Sequence, residues 1–173
     1  HRDLHSFPTR RSSDLVDEQR AAVWAGLGVN RVSLGVQSFS DHHLRQLGRS
    51  HDQRAVGPAV RALRTAGLRN INMDVMFSLP GQTTAEAAAD LEQIDRLGCE
   101  HVSAYALTVE EQSRFFIRRV GPQAEHLEAE IYTLICERLT AMGLRQYEVS
   151  NFARPGYESR HNQHYWLGGD YIG

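Results

Sequence analysis

From Leu15 onward, apolar positions recur along the chain with two alternating periods. In Arg31-Val32-Ser33-Leu34-Gly35-Val36-Gln37, the residues Val32, Leu34 and Val36 fall on one face. That period of two predicts a strand with one apolar side. Ile71 to Phe77 predicts a second strand, rich in apolar residues and bounded by Asn70 and Pro80. Val102 to Leu107 predicts a third. The segments between them carry helix signals. Asp17 caps a helix from Glu18 to about Ala25 that stops at Gly26 and Gly28. Ser40 or Asp41 opens a short helix to Leu47, and another follows Asp52 to about Ala66, with Gly67 as its stop. Thr83-Thr84-Ala85-Glu86 is a capping-box pattern that opens a helix to Leu97, with Gly98 past its end. Glu125 to Met142 forms a long amphipathic pattern ending at Gly143. Arg145 to Val149 predicts a fourth strand, and the tail from Phe152 reads as a loop with aromatics.

Strands alternating with helices of this length imply βαβ units and a mainly parallel sheet, so the fold class is α/β. The units amount to half of a larger barrel or to a small open sheet. The chain opens in mid-repeat, without a first strand and its glycine-rich loop, which suggests truncation. Residues 1–14, HRDLHSFPTRRSSD, show neither period and are rich in Arg and Ser. They are expected to be a non-native or disordered leader.

Composition narrows the partners. With Lys+Arg 19 against Asp+Glu 21 and a net charge of -2, no basic excess points to nucleic acid. The longest apolar runs are too short to span a bilayer, and no signal peptide is visible. Cys99 and Cys136 lie far apart and form no CxxC or CxxxCxxC group. They are expected to be buried thiols, and by themselves they cannot hold an iron–sulfur cluster.

In parallel α/β folds ligands sit at the carboxyl ends of the strands. There the chain places Gln37 at the end of the first strand, Asp74 within the second, and Tyr105-Ala106 in the third, where a small side chain lets a planar ligand approach the backbone. Arg49 follows the short helix after the first strand. An Asp accepts two bonds from a diol, a Gln donates and accepts, and an Arg clamps a carboxylate, so these residues suit a small polar ligand. Equally, Asp74 fits an in-barrel carboxylate paired to an Arg or a backbone amide, and Arg49 a surface cation. A further group is Arg160-His161-Asn162-Gln163-His164-Tyr165-Trp166. His161 and His164, three apart, have a spacing that suits a metal or haem ligand on a helical turn, and the aromatics offer flat apolar surface. The same stretch also reads as a His-rich loop packing its aromatics onto the barrel. His42, His43, His51, His101 and His126 share no spacing and are expected to be surface or structural. Leu79-Pro80-Gly81-Gln82-Thr83 reads as a strand-to-helix turn.

Six stretches together resemble the haem-chaperone branch of the radical S-adenosylmethionine proteins, relatives of oxygen-independent coproporphyrinogen III oxidase. They are GVNRVSLGVQSF (Gly28 to Phe39), LGR (Leu47 to Arg49), NINMDVMFSLPGQT (Asn70 to Thr83), HVSAYALTVE (His101 to Glu110), QYEVSNFARPG (Gln146 to Gly156) and HNQHYWLGGDYIG (His161 to Gly173). The resemblance implies a partial (β/α) barrel truncated at both ends. Residues 15–145 would form the C-terminal half of the barrel core, and 146–173 the start of a haem-binding region. By matching position, Gln37, Arg49, Asp74 and Ala106 would line an S-adenosylmethionine site, and His161 would contact haem. The parent would also hold a 4Fe–4S cluster, whose CxxxCxxC ligands are absent from this sequence. The chain itself is therefore expected to lack catalytic residues and metal ligands and to be inert. A cytoplasmic protein that hands haem to haem-receiving enzymes or membrane-associated haem proteins is implied. The alternatives are a porphyrinogen oxidase and a non-catalytic α/β binding module. The family usually has Gly where Ser78 stands, often Cys at Ser159, and Glu-Pro-Gly-Thr after Thr108.

Overall fold

The computed structural model describes residues 16–109, 111, 114–117, 120–121 and 123–169. The leader, most of the Val109-to-Ser113 departure and the last four residues lie outside them. The elements follow in the order α1 (Glu18–Gly26), β1 (Arg31–Gln37), α2 (Asp41–Gln46), α3 (Val56–Thr65), β2 (Asn70–Phe77), α4 (Thr84–Leu97), β3 (His101–Ala106), α5 (Arg114–Ile117), α6 (Glu125–Ala141), β4 (Arg145–Gln146), β5 (Asn151–Ala153) and α7 (Arg160–Trp166). A turn of 3-10 helix, Gln53–Ala55, leads into α3.

Local chemistry explains the boundaries. The Asp17 side chain accepts from the Arg20 N–H at 2.7 Å and starts α1. At α4 the capping box is complete: Glu86 N–H donates to Thr83 Oγ1 and the Glu86 carboxylate accepts from Thr83 N–H. In α3 the buried positions Val56, Ala59, Val60 and Leu63 follow the i, i+3, i+4, i+7 stripe of a helix packed on one side.

The strands form one sheet in the order β1-β2-β3-β5-β4. β1, β2 and β3 are parallel, and β5 is antiparallel to both β3 and β4. The expected fourth strand is only two residues long, because the chain reverses at 147–150 into a hairpin. Part of the tail expected as loop is a strand, β5, and another part is the helix α7. Phe152 explains the insertion of β5: its ring is fully buried in the core, an apolar gain of roughly 1.5–3 kcal/mol that a solvated loop would forgo.

Register gives the sheet two unlike faces. Leu34, Met73, Val102 and Phe152 form one cross-strand row, with Val75 and Ala104 in the next. All six are buried in the core beneath the helices. The alternate positions are polar: Ser33 is opposite Asn72, Asn72 opposite His101, Asp74 opposite Ser103, and Ser103 opposite Asn151. One face therefore builds the core and the other carries hydrogen-bonding groups.

Candidate functional site

Irregular backbone at the carboxyl ends of β1 and β2 shapes the candidate site. The β1–β2 register shifts between Leu34 and Gln37, leaving Gln37 opposite Val75. Gln37 takes φ 68°, and Ser78, just past β2, takes φ 55°. Both are left-handed conformations that non-glycine residues rarely adopt, and such strain collects at ligand sites. The Gly that the resemblance would place at Ser78 suits a position that needs positive φ. The Ser78 hydroxyl is buried and makes no hydrogen bond. Past Gln37 the turn is tied down by Asp90 of α4, whose carboxylate accepts from Ser38 Oγ and from Phe39 N–H, each at 2.8 Å. Burial raises the Asp90 pKa, and those two hydrogen bonds oppose the rise.

Gln37 is buried, and its Oε1 accepts from the Arg49 guanidinium at 3.1 Å. Arg49 is half-buried rather than a surface cation. Among the described residues Asp74 forms no salt bridge with an Arg and accepts from no backbone amide, although its charge acts on the nearby Arg31 guanidinium. Its Oδ2 accepts from Ser33 Oγ at 2.8 Å and its Oδ1 from Asn72 Nδ2 at 2.7 Å. An ionised carboxylate has about four acceptor positions, so roughly two stay open, one on each oxygen. Ala106 is half-buried at the end of β3. It lines a cavity of about 820 Å³ with Leu107, Thr108, Val109, Phe116 and Glu128, among others. Gln37, Arg49 and Asp74 do not line that cavity. The structure thus joins Gln37 to Arg49, sets Asp74 beside Gln37's register partner, and places Ala106 at a neighbouring opening.

Sequence reasoning left His101 among the structural residues, yet it is the centre of the polar face. It is fully buried. Its Nδ1 lies 2.6 Å from Asn72 Oδ1 and its Nε2 2.7 Å from Tyr147 OH. Burial, helped by the Arg31 charge, lowers its pKa to about 3, so the ring is neutral. An amide oxygen at Nδ1 requires the proton there, and Nε2 then accepts from the tyrosine hydroxyl. The signal that could have found this group is the polar alternation Asn70, Asn72, Asp74 in β2 and His101, Ser103 in β3.

α7 carries the His-rich motif. The Ser159 side chain caps it by accepting from Asn162 N–H. His161 and His164 are exposed on it. Tyr165 and Trp166, 54% and 58% exposed, meet edge to face rather than packing onto the sheet. Of the two cysteines, Cys99 is buried and Cys136 only partly so. Burial pushes the Cys99 thiol up to about 12. Among the described residues no group of three or more His, Cys, Asp or Glu is arranged to hold a metal ion. These residues do not fit an iron–sulfur cluster.

The family model of the Radical SAM superfamily matches residues 9–94, the stretch that carries β1, β2 and the Gln37, Arg49 and Asp74 positions. The chain belongs to the radical SAM superfamily. Among its radical SAM relatives, the heme chaperone HemW of Bacillus subtilis is 37% identical over 99% of this chain and 46% of its own length. The heme chaperone HemW of Escherichia coli is 41% identical over 95% of this chain and 42% of its own length. The chain therefore spans less than half the length of these curated relatives. In fold it is similar to the radical SAM coproporphyrinogen III oxidase of Escherichia coli, with a TM-score of 0.77 at 21% identity over 91% of this chain and 36% of that one. That likeness confirms a mainly parallel α/β sheet of the radical SAM type.

Proposed function

We propose that this chain is the part of a haem chaperone that grips the nucleoside of S-adenosylmethionine and offers haem a ligand from α7. The observation that carries the haem reading is the exposure of Tyr165 and Trp166 on the helix that presents His161. Adjacent exposed aromatics beside an imidazole offer apolar ring faces with an iron ligand at hand. Asp74 supports the nucleoside reading, since its two open acceptor positions match a ribose diol. Gln37 and Arg49 would bind the amino-acid end of the cofactor, the guanidinium facing its carboxylate. Ala106 leaves room at the end of β3 for a planar base.

S-adenosylmethionine supplies an activated sulfonium; the residues of this chain bind and orient it. Haem passed on from α7 would go to haem-receiving enzymes or membrane-associated haem proteins. Among the described residues no helix is long and apolar enough to cross a membrane. A cytoplasmic setting is part of the proposal.

A haem titration of the chain followed at the Soret band tests this reading. The unmodified chain should give a saturating Soret shift that His161→Ala removes. An identical titration in the variant refutes the assignment of His161.

A further inference from the structure

A continuous line of hydrogen bonds runs from the start of α7 to Asp74. The Ser159 N–H donates to Tyr147 OH at 3.2 Å. The Tyr147 hydroxyl donates to His101 Nε2, and His101 Nδ1–H donates to Asn72 Oδ1. The Asn72 amide then donates to Asp74 Oδ1 at 2.7 Å and to Ser33 Oγ at 2.6 Å. Ser33 Oγ closes the line on Asp74 Oδ2.

The direction of this line is fixed at one point. An Asn side chain can be turned either way, and only one way presents its NH2 to a carboxylate. The opposite turn would set an amide oxygen against Asp74. What selects the favourable turn is the imidazole N–H facing Asn72 Oδ1, with Ser103 Oγ a second neighbour of that oxygen at 3.2 Å. The imidazole is itself oriented by Tyr147, whose ring meets it edge to face with centroids 5.6 Å apart. Asn72 is buried, so water cannot readily replace a missing partner.

We propose that His101 is a positioning residue for the nucleoside ligand: by turning the Asn72 amide toward Asp74 it holds that carboxylate with one open acceptor position per oxygen for a ribose diol, and Tyr147 locks the imidazole in place. This rests on the reading of Asp74 as the ribose-binding carboxylate. It differs from a packing role because it acts on diol recognition and not on the ligand as a whole.

The experiment uses the 173-residue chain and two probes, S-adenosylhomocysteine and its 2′-deoxyribose counterpart, each titrated calorimetrically. His101→Leu keeps an apolar buried side chain but removes both ring hydrogen bonds. His101→Asn keeps a donor where Nδ1 stood. Denaturant unfolding is measured alongside. His101→Leu is expected to weaken S-adenosylhomocysteine about tenfold, the scale of one disturbed hydrogen bond to a charged group, and to erase discrimination against the deoxy probe. His101→Asn should stay within about threefold of the unmodified chain and keep the discrimination, although it buries a more polar side chain and so is the less stable of the two. Tyr147→Phe keeps the ring and serves if His101→Leu does not fold; it should weaken the ribose probe and narrow the discrimination. Affinities that follow stability, or discrimination unchanged in His101→Leu and Tyr147→Phe, overturn the inference. If Asp74→Ala binds both probes like the unmodified chain, or the unmodified chain binds neither, the reading of Asp74 fails and takes this inference with it. If Asp74→Ala abolishes binding while the His101 and Tyr147 variants change nothing, the inference alone fails.

Discussion

His101 makes the stability of the fold depend on pH in a window that can be stated in advance. In the unfolded chain an imidazole titrates near its ordinary value of 6.5, whereas in the folded chain burial and the Arg31 charge hold it at about 3. Between those values the unfolded state binds a proton that the folded state refuses. Stability is therefore complete above the unfolded pKa, falls as pH drops through it, and levels off only below the folded value. At about pH 5.0 the drop is about 1.5 pH units, or about 2 kcal/mol at 1.36 kcal/mol per unit. The assay is urea unfolding of the unmodified chain and of His101→Asn, each at about pH 7.5 and about pH 5.0. Asp90 also titrates abnormally, its pKa raised by burial, but it is common to both proteins and cancels in the difference. The unmodified chain should lose about 2 kcal/mol more than the variant over this interval. Equal losses in the two proteins would mean that the buried imidazole accepts a proton without penalty, and the neutral-ring account of the polar face would be wrong.

Two further outcomes concern Cys99 and Ser78. With its thiol pushed up to about 12, Cys99 should resist iodoacetamide at about pH 8, where roughly one thiol in ten thousand is ionised; mass spectrometry should find label on Cys136 alone until denaturant is added. Ser78→Gly should raise stability by about 1 kcal/mol in urea unfolding, because it relieves a left-handed φ and removes a buried hydroxyl without a partner; a destabilised variant would show that the strain is absent.

The parallel part of the fold was legible because its signals are local. Val32, Leu34 and Val36 alternate within seven residues, and the Thr83 to Glu86 box is contained in one turn. Both survive any tertiary context that buries one face. The hairpin was not legible. β4 is exposed and short, so it carries no period, and Asn151–Ala153 has too few residues to show alternation. What makes β5 a strand is a partner far back in the chain: Phe152 sits opposite Val102. The site divides in the same way. Gln37 and Arg49 are close in sequence and meet in space. Tyr147 and His101 are separated by 46 residues, and nothing local to either announces the other.

The two left-handed residues, Gln37 and Ser78, differ in what holds them. Strain at a strand end persists only when surrounding contacts over-determine it. At Gln37 those contacts are visible: Asp90 holds Ser38 and Phe39 from α4, and Arg49 holds the Gln37 amide. At Ser78 the next turn is closed by Gln82 N–H donating to Leu79 carbonyl oxygen at 2.9 Å, but the Ser78 side chain itself contributes no hydrogen bond. The first conformation is thus held through its own side chain, which presents a polar amide at the mouth of β1. The second is held by the backbone around it and would suit a residue with no side chain. Stabilising contacts spent on Gln37 and withheld from Ser78 single out the mouth of β1 as the place where side-chain identity matters.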